Sequence, residues 1–301
     1  MGKPLIIFVS GMKPKPAPDE HKHALWRCLF EGLQRAAPDV ASQLAANPGS
    51  FSRAQWTYAF YKTYRDISID LPGIDALLRQ AEPSDADVRE ASALSTRIRR
   101  AIYLALDAVP FIASRLANAD MRVTLQDVHR YVTNDKGIAD QVRADLEQRL
   151  IAAHDASRPV LLIGHSMGSV IAWDTLWRLS RELQHPLRVD LFMTLGSPLG
   201  NHVIQRGLQG SSSDAATRYP ANIRRWVNLV AIGELTALDR RMQRDYAGML
   251  EEGLVDAIED YDVINHYREN GRLLVHSEYG YLVNHTTAGI IADWWRQHDS
   301  P

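Results

Sequence analysis

The chain has 301 residues, 46% of them hydrophobic and 23% charged, with a formal net charge of −2. That is length for one large α/β domain or two small ones, with apolar residues enough for a sizeable core and no electrostatic footprint for nucleic acid. The single cysteine, Cys28, excludes an internal disulfide and fits a reducing compartment, and no apolar run reaches the length that spans a bilayer.

Leu5–Val9 (LIIFV) reads as a buried strand, broken by Gly11 and a Pro-rich loop. The run is too short for a secretory signal and lacks a small-residue cleavage site, and Ile6 stands where a myristoylation start wants Ser or Thr, so a cytoplasmic location is expected. Residues 20–46 carry helical spacing, with Leu25, Leu29, Leu33 and Ala36 on one face and Pro48-Gly49 as the stop. The aromatic stretch 55–62 predicts a second strand. Residues 65–95 mix charge with Pro72-Gly73 and Pro83-Ser84 and take no assignment. Residues 97–119 form a strongly apolar helical pattern interrupted at Pro110. Then follow a helix over 138–153, a strand over 160–163, a helix over 167–183 and a strand over 189–195. A Ser/Gly-rich loop over 207–220, a strand over 225–232, helix over 238–268, a short strand over 272–275 and a last helix near 287–297 complete the chain. Apolar strands alternating with helices predict an α/β fold with a mostly parallel sheet covered on both faces. No internal repeat is visible, and residues 1–301 read as a single domain.

The strand at 160–163 runs into Gly164-His165-Ser166-Met167-Gly168 and then at once into an apolar periodic segment. A serine hydroxyl is a weak nucleophile. It needs a base to take its proton, a group to orient that base, and donors for the oxyanion that forms. Gly-x-Ser-x-Gly supplies the geometry: a tight turn lifts the serine off the strand end, and the flanking glycines let strand and helix approach closely. Ser166 is therefore the candidate nucleophile. The N–H of Met167, at the helix start, is a candidate oxyanion donor. The bare pattern arises by chance in roughly one chain of this length in ten, so the strand before it and the helix after it carry the reading. An ordinary strand–helix turn packed through glycines is the alternative.

Three stretches, FVSGM (8–12), IGHSMGS (163–169) and MTLGSPLG (193–200), resemble serine esterases and lipases of the α/β-hydrolase superfamily, over residues 4–12 and 158–297. The resemblance implies an α/β-hydrolase-like fold and an early loop whose backbone N–H completes the oxyanion hole. Carried onto this chain that donor is Met12, just past Ser10-Gly11, although members more often carry His-Gly there and Ser10 departs from the pattern. The triad order in this fold is serine, acid, histidine. That order sets aside His21, His23, His129, His154 and His165 as the base and leaves His185, His202, His266, His276, His285 and His298. His276 follows the strand-like Leu273–Val275 and leads a His-x-x-Tyr-x-Tyr-Leu segment resembling the family's catalytic-histidine loop, and it is preferred. His285, flanked by Asn284 and Thr286 at the start of the last helix, fits a capping region. For the acid, Glu234 follows the apolar run WVNLVAI, where similar proteins commonly carry Asp, and Asp239 stands five residues on. Glu234 is preferred, because a Glu also orients an imidazole in such triads.

The expected activity is hydrolysis of a carboxylic ester, an acyl ester or lipid, through an acyl-enzyme, with a small-molecule ester or lipid as partner and no metal or organic cofactor. A thioesterase, amidase or peptidase is the rival, since triad chemistry does not specify the leaving group. A catalytically silent hydrolase-like binding protein is a third reading. Between Gly11 and Ser166 lie 154 residues, more than the connecting elements need. The surplus suggests a cap or lid insertion at about 65–120, with Ile98, Ile102, Leu106, Val109 and Leu116 as its apolar stripe, or a helix packed on the sheet. Asp19-Glu20-His21-Lys22-His23 reads as a solvated segment rather than a metal site, and Lys13 and Lys15 as part of a solvated loop rather than as an anion-binding pair.

Overall fold

A strand with no polar residue needs cover on both faces, which a parallel sheet flanked by helices provides. The computed structural model, which describes residues 2–93, 119–234 and 241–299, follows that rule. Strands β1 (Leu5–Val9), β2 (Phe51–Arg53), β3 (Val160–His165), β4 (Val189–Leu195), β5 (Ile223–Ala231) and β6 (Ala257–Val263) form one sheet in the order β2-β1-β3-β4-β5-β6. Every neighbouring pair is parallel. A two-stranded antiparallel ribbon, β7 (Arg268–Glu269) with β8 (Arg272–Leu273), lies outside it.

Parallel neighbours need crossover connections. These contain helices α1 (Pro18–Ala36), α2 (Pro38–Ala45), α3 (Thr57–Tyr61), α4 (Leu71–Arg79), α5 (Asp85–Ala91), α6 (Ala119–Val132) and α7 (Ile138–Asp155). Further along come α8 (Met167–Trp177), α9 (His202–Gly207), α10 (Met242–Asp245), α11 (Ala247–Glu251), α12 (Glu278–Val283) and α13 (His285–His298). Alternate strand residues point to opposite faces. Ile7, Val9, Leu162 and Phe192 therefore enter one core with Val142 and Leu146 of α7 and Ile171 and Trp173 of α8. Ile6, Phe8, Ile163 and Met193 enter the other with Leu25 and Leu29 of α1 and Ile291 and Trp295 of α13. Helix α8 is buried at each residue from Met167 to Leu176, which explains its lack of a polar face.

Several elements differ from the sequence expectation. Residues 55–62 hold helix α3 rather than a strand: Trp56 and Phe60, four apart, bury together, and the helix stops at Lys62 with φ 58. The stretch 20–46 is two helices, because Pro38 starts a new one and the residue before it, Ala37, is extended at φ −154. Helix over 238–268 gives way to short α10 and α11 and then to β6, an edge strand whose acidic residues are paired. Arg225 of β5 grips Glu259 through two hydrogen bonds of 2.8 and 2.9 Å, and Asp260 accepts from the Met242 N–H at 2.9 Å. Of the stretch 272–275 only Arg272–Leu273 is strand, and it belongs to the ribbon. Within the suggested insertion, Ile74 and Leu77 of α4 are buried in the second core. Residues 94–118, with the stripe Ile98, Ile102, Leu106, Val109 and Leu116, lie outside the described residues.

Asp174 is buried inside α8, where it accepts from the Tyr131 hydroxyl at 2.9 Å and the Gln209 N–H at 2.8 Å. Burial pushes its carboxyl up to about 6, against the hydrogen bond from Gln209 and the Arg143 guanidinium. A raised carboxyl contributes stability below its unfolded value, and that contribution is lost as pH rises through the folded value. Asp174→Asn keeps an acceptor for Gln209 and removes the ionisation. Its stability relative to the wild type should rise by roughly 2 kcal/mol between pH 4 and pH 7, measured by urea unfolding at both values. A pH-independent difference would contradict the assignment.

Candidate active site

The register places the carboxyl ends of β1, β3, β4 and β5 along one edge: Val9 pairs with Gly164, His165 with Leu195 and Leu195 with Leu229. Ligand crevices in α/β sheets open there. Ser166 follows β3 with φ 51 and ψ −128, a conformation an L-residue rarely adopts, at a strain of about 1–3 kcal/mol. The turn is held from both sides. The Ser166 N–H donates to Leu195 O at 2.9 Å, and the Ser169 N–H donates to Ser166 O at 2.9 Å. Three glycines make the turn sterically possible. A Cβ on Gly164 would lie 2.6 Å from Ser169 Cα, one on Gly168 2.1 Å from Val9 O, and one on Gly11 2.8 Å from Ser166 Cβ.

Sequence reasoning missed two hydroxyls that brace this turn. The Ser169 hydroxyl donates to Ser166 O at 2.6 Å and lies 2.6 Å from Ser197 Oγ. Ser197 Oγ in turn accepts the Leu199 N–H at 3.2 Å. The motif 193–200 thus connects to the serine turn through side chains that read as ordinary small polar residues.

Ser166, His276 and Glu234 are brought together. Ser166 Oγ lies 2.8 Å from His276 Nε2, and His276 Nδ1 lies 2.7 Å from Glu234 Oε2. With Nδ1–H donating to the carboxylate, Nε2 is the acceptor that faces the serine hydroxyl. Glu234 stands in the turn after β5, 1% exposed, and its N–H donates to Ala231 O at 3.0 Å. The buried Tyr281 hydroxyl accepts the Ala231 N–H at 2.8 Å and reaches Glu234 Oε2 at 3.5 Å. His276 is one-third exposed at 34% and follows the β7–β8 ribbon rather than a strand of the main sheet. His285 is exposed at the start of α13, where the Asn284 side chain accepts from the Thr286 and Thr287 N–H groups. Asp239 lies outside the described residues.

The loop after β1 passes beside Ser166 and is fixed along its length. The Trp56 indole N–H donates to Ser10 O at 2.9 Å, the Lys13 N–H to the Tyr61 hydroxyl at 3.0 Å, and the Arg65 N–H to Lys15 O at 3.0 Å. Tyr61 donates onward to Asp127 at 3.0 Å, and burial pushes its phenol up. Lys13 takes a φ of 75. Among the described residues neither the Met12 nor the Met167 N–H has a protein acceptor. For Met167 this follows from its place as first residue of α8.

Asp19, Glu20, Lys22, His23 and Lys13 are exposed, as a solvated segment and loop would have them, but His21 and Lys15 turn inward. His21, fully buried in the first turn of α1, lies 2.8 Å from Glu278 Oε1, and Lys15 Nζ lies 3.0 Å from the same oxygen. His165 Nδ1 lies 3.5 Å from Glu278 Oε2, while its Nε2 lies 2.9 Å from the carbonyl oxygen of His276. Burial pushes the Glu278 carboxyl up, but the Lys15 ammonium and the two imidazoles hold it well below the usual carboxylate range. Burial pushes both His21 and His165 down. Among the described residues no group of three or more His, Cys, Asp or Glu side chains is placed to hold a metal ion.

Among the described residues no helix is long and apolar enough to cross a membrane. No family model and no curated protein matches the chain. The structure is similar to that of a "putative thioesterase" from Silicibacter sp. TM1040, with 13% sequence identity and a TM-score of 0.29. That match covers 54% of this chain and spans 59% of the length of the Silicibacter protein.

Proposed function

We propose that the chain is a serine hydrolase of the α/β-hydrolase type that cleaves carboxylic acyl esters through an acyl-enzyme, with residues 1–301 as one domain. The observation that carries this reading is the unbroken line of hydrogen bonds from Ser166 through His276 to Glu234, set on a strained turn at the carboxyl edge of the sheet. The chain order serine, acid, histidine agrees with it.

In this reading His276 Nε2 takes the Ser166 proton as Oγ attacks the acyl carbonyl. The Met12 and Met167 N–H groups, which have no acceptor among the described residues, receive the oxyanion, each worth on the order of 10²–10³ in kcat. Glu234 orients the imidazole and stabilises the imidazolium. His276 then passes the proton to the departing alcohol, and a water activated by the same nitrogen releases the acid and restores Ser166.

Hydrolysis of p-nitrophenyl acetate and butyrate tests the reading. Saturable turnover is expected, falling by on the order of 10⁴-fold or more in Ser166→Ala. Turnover that the substitution leaves unchanged would place the chemistry elsewhere.

A further inference from the structure

We infer that the Lys15–Glu278 ion pair is a clasp that holds the oxyanion loop against the histidine loop, which makes Lys15, Glu278 and His165 positioning residues for the reaction. The inference rests on the serine-hydrolase reading. Lys15 lies three residues past Met12, and Glu278 two residues past His276. One carboxylate therefore adjoins four segments: it is bonded to the loop after β1 through Lys15 and to α1 through His21, it stands 3.5 Å from His165 of the serine turn without a hydrogen bond, and it belongs to the loop two residues from His276. His165 completes the junction, because it adjoins Ser166 in sequence and hydrogen-bonds the carbonyl oxygen of His276. Side-chain exposure is 15% for Lys15, 4% for Glu278, 5% for His165 and nil for His21.

A pair of apolar residues of the same size would fill this space with equal or greater stability, because desolvation offsets most of the attraction within a buried ion pair. What apolar packing does not provide is direction. Charge-assisted hydrogen bonds fix both loops within a few tenths of an ångström, and an oxyanion donor has to sit about 2.7–3.1 Å from the developing charge. Among the described residues the other hydrogen bonds of the oxyanion loop run to Trp56, Tyr61 and Arg65. Of these, Arg65 also pairs with Glu269 of the ribbon, seven residues before His276, whereas the clasp holds the loop at a residue two positions from His276.

The test uses Lys15→Met/Glu278→Gln, which removes both charges and leaves neither unpaired, with Lys15→Arg as the conservative variant. On p-nitrophenyl butyrate the double variant should lose on the order of 10²-fold in kcat, with KM within about threefold. Lys15→Arg should retain most of kcat. Amide hydrogen exchange at Lys13 and Arg65, whose N–H groups are bonded in this loop, should accelerate at least tenfold in the double variant. Exchange is read without any activity. If the wild type proves inactive, the hydrolase reading fails and faster exchange still supports the clasp. Wild-type exchange in the double variant overturns the clasp, and faster exchange with unchanged kcat overturns its role in the reaction.

Discussion

Glu234→Gln should lower kcat by on the order of 10⁴-fold while the chain stays folded. The imidazole tautomer is the cause. Glu234 accepts from His276 Nδ1 at 2.7 Å, which leaves Nε2 free of hydrogen and facing Ser166 at 2.8 Å. A glutamine presents either an oxygen or an NH₂ at that position, and its amide hydrogens pair best with an imidazole that carries its proton on Nε2. That proton points at Ser166, and the base is lost. The Tyr281 and Ala231 contacts that support residue 234 tolerate either side chain, so the far-ultraviolet circular dichroism and melting temperature should change little. Glu234→Ala should be similarly impaired and should cost far more activity than Asp239→Ala. The reverse ranking, or a loss under tenfold for Glu234→Gln, would remove Glu234 from the mechanism.

The largest stability effect is expected from one added methyl group. In Gly168→Ala the new Cβ would stand 2.1 Å from Val9 O, 2.5 Å from Ser10 O and 2.7 Å from Val9 C. All three are backbone atoms of a central strand and the loop it feeds, so no side chain can swing away. Helix α8 has to back off β1, at about 3 kcal/mol or more. The same movement separates Ser166 from the loop that carries Met12, and a displacement near 1 Å lowers turnover by about 10²-fold in whatever fraction folds. Gly289→Ala, in α13 with no atom within 4 Å of the added carbon, is the control. It should stabilise the chain by about 0.5–1 kcal/mol. Urea unfolding of both variants checks the pair, and a Gly168→Ala destabilised by less than about 1 kcal/mol contradicts the close approach.

The serine turn was legible because its geometry is written in glycine spacing: each of Gly164 and Gly168 sits where a backbone comes too near for a Cβ. The parallel α/β sheet was legible because unbroken apolar strands have few other solutions. Helix α3 was not, since an aromatic-rich run suits strand propensity until the four-residue spacing of Trp56 and Phe60 is weighed. Strand β6 was hidden by its acidic residues, whose partners Arg225 and Asn228 come from another strand.

The buried cluster escaped for a related reason. Lys15, His21 and Glu278 each have polar neighbours in the sequence, His165 reads only as part of the serine motif, and Lys15 and Glu278 are 263 residues apart. Only the convergence of four segments draws them together away from solvent. One signal was present: His21 precedes Leu25, Cys28 and Leu29 at helical spacing, which places it on the apolar stripe of α1 rather than in solvent.

The most direct test of the central claim is covalent labelling of the purified protein by a fluorophosphonate, with the modified residue located by peptide mass spectrometry. The account predicts a single adduct on Ser166 in the wild type, none in Ser166→Ala, and labelling slowed by at least about 10³-fold in His276→Ala. A folded wild type that stays unlabelled, or an adduct that persists in Ser166→Ala, would contradict it.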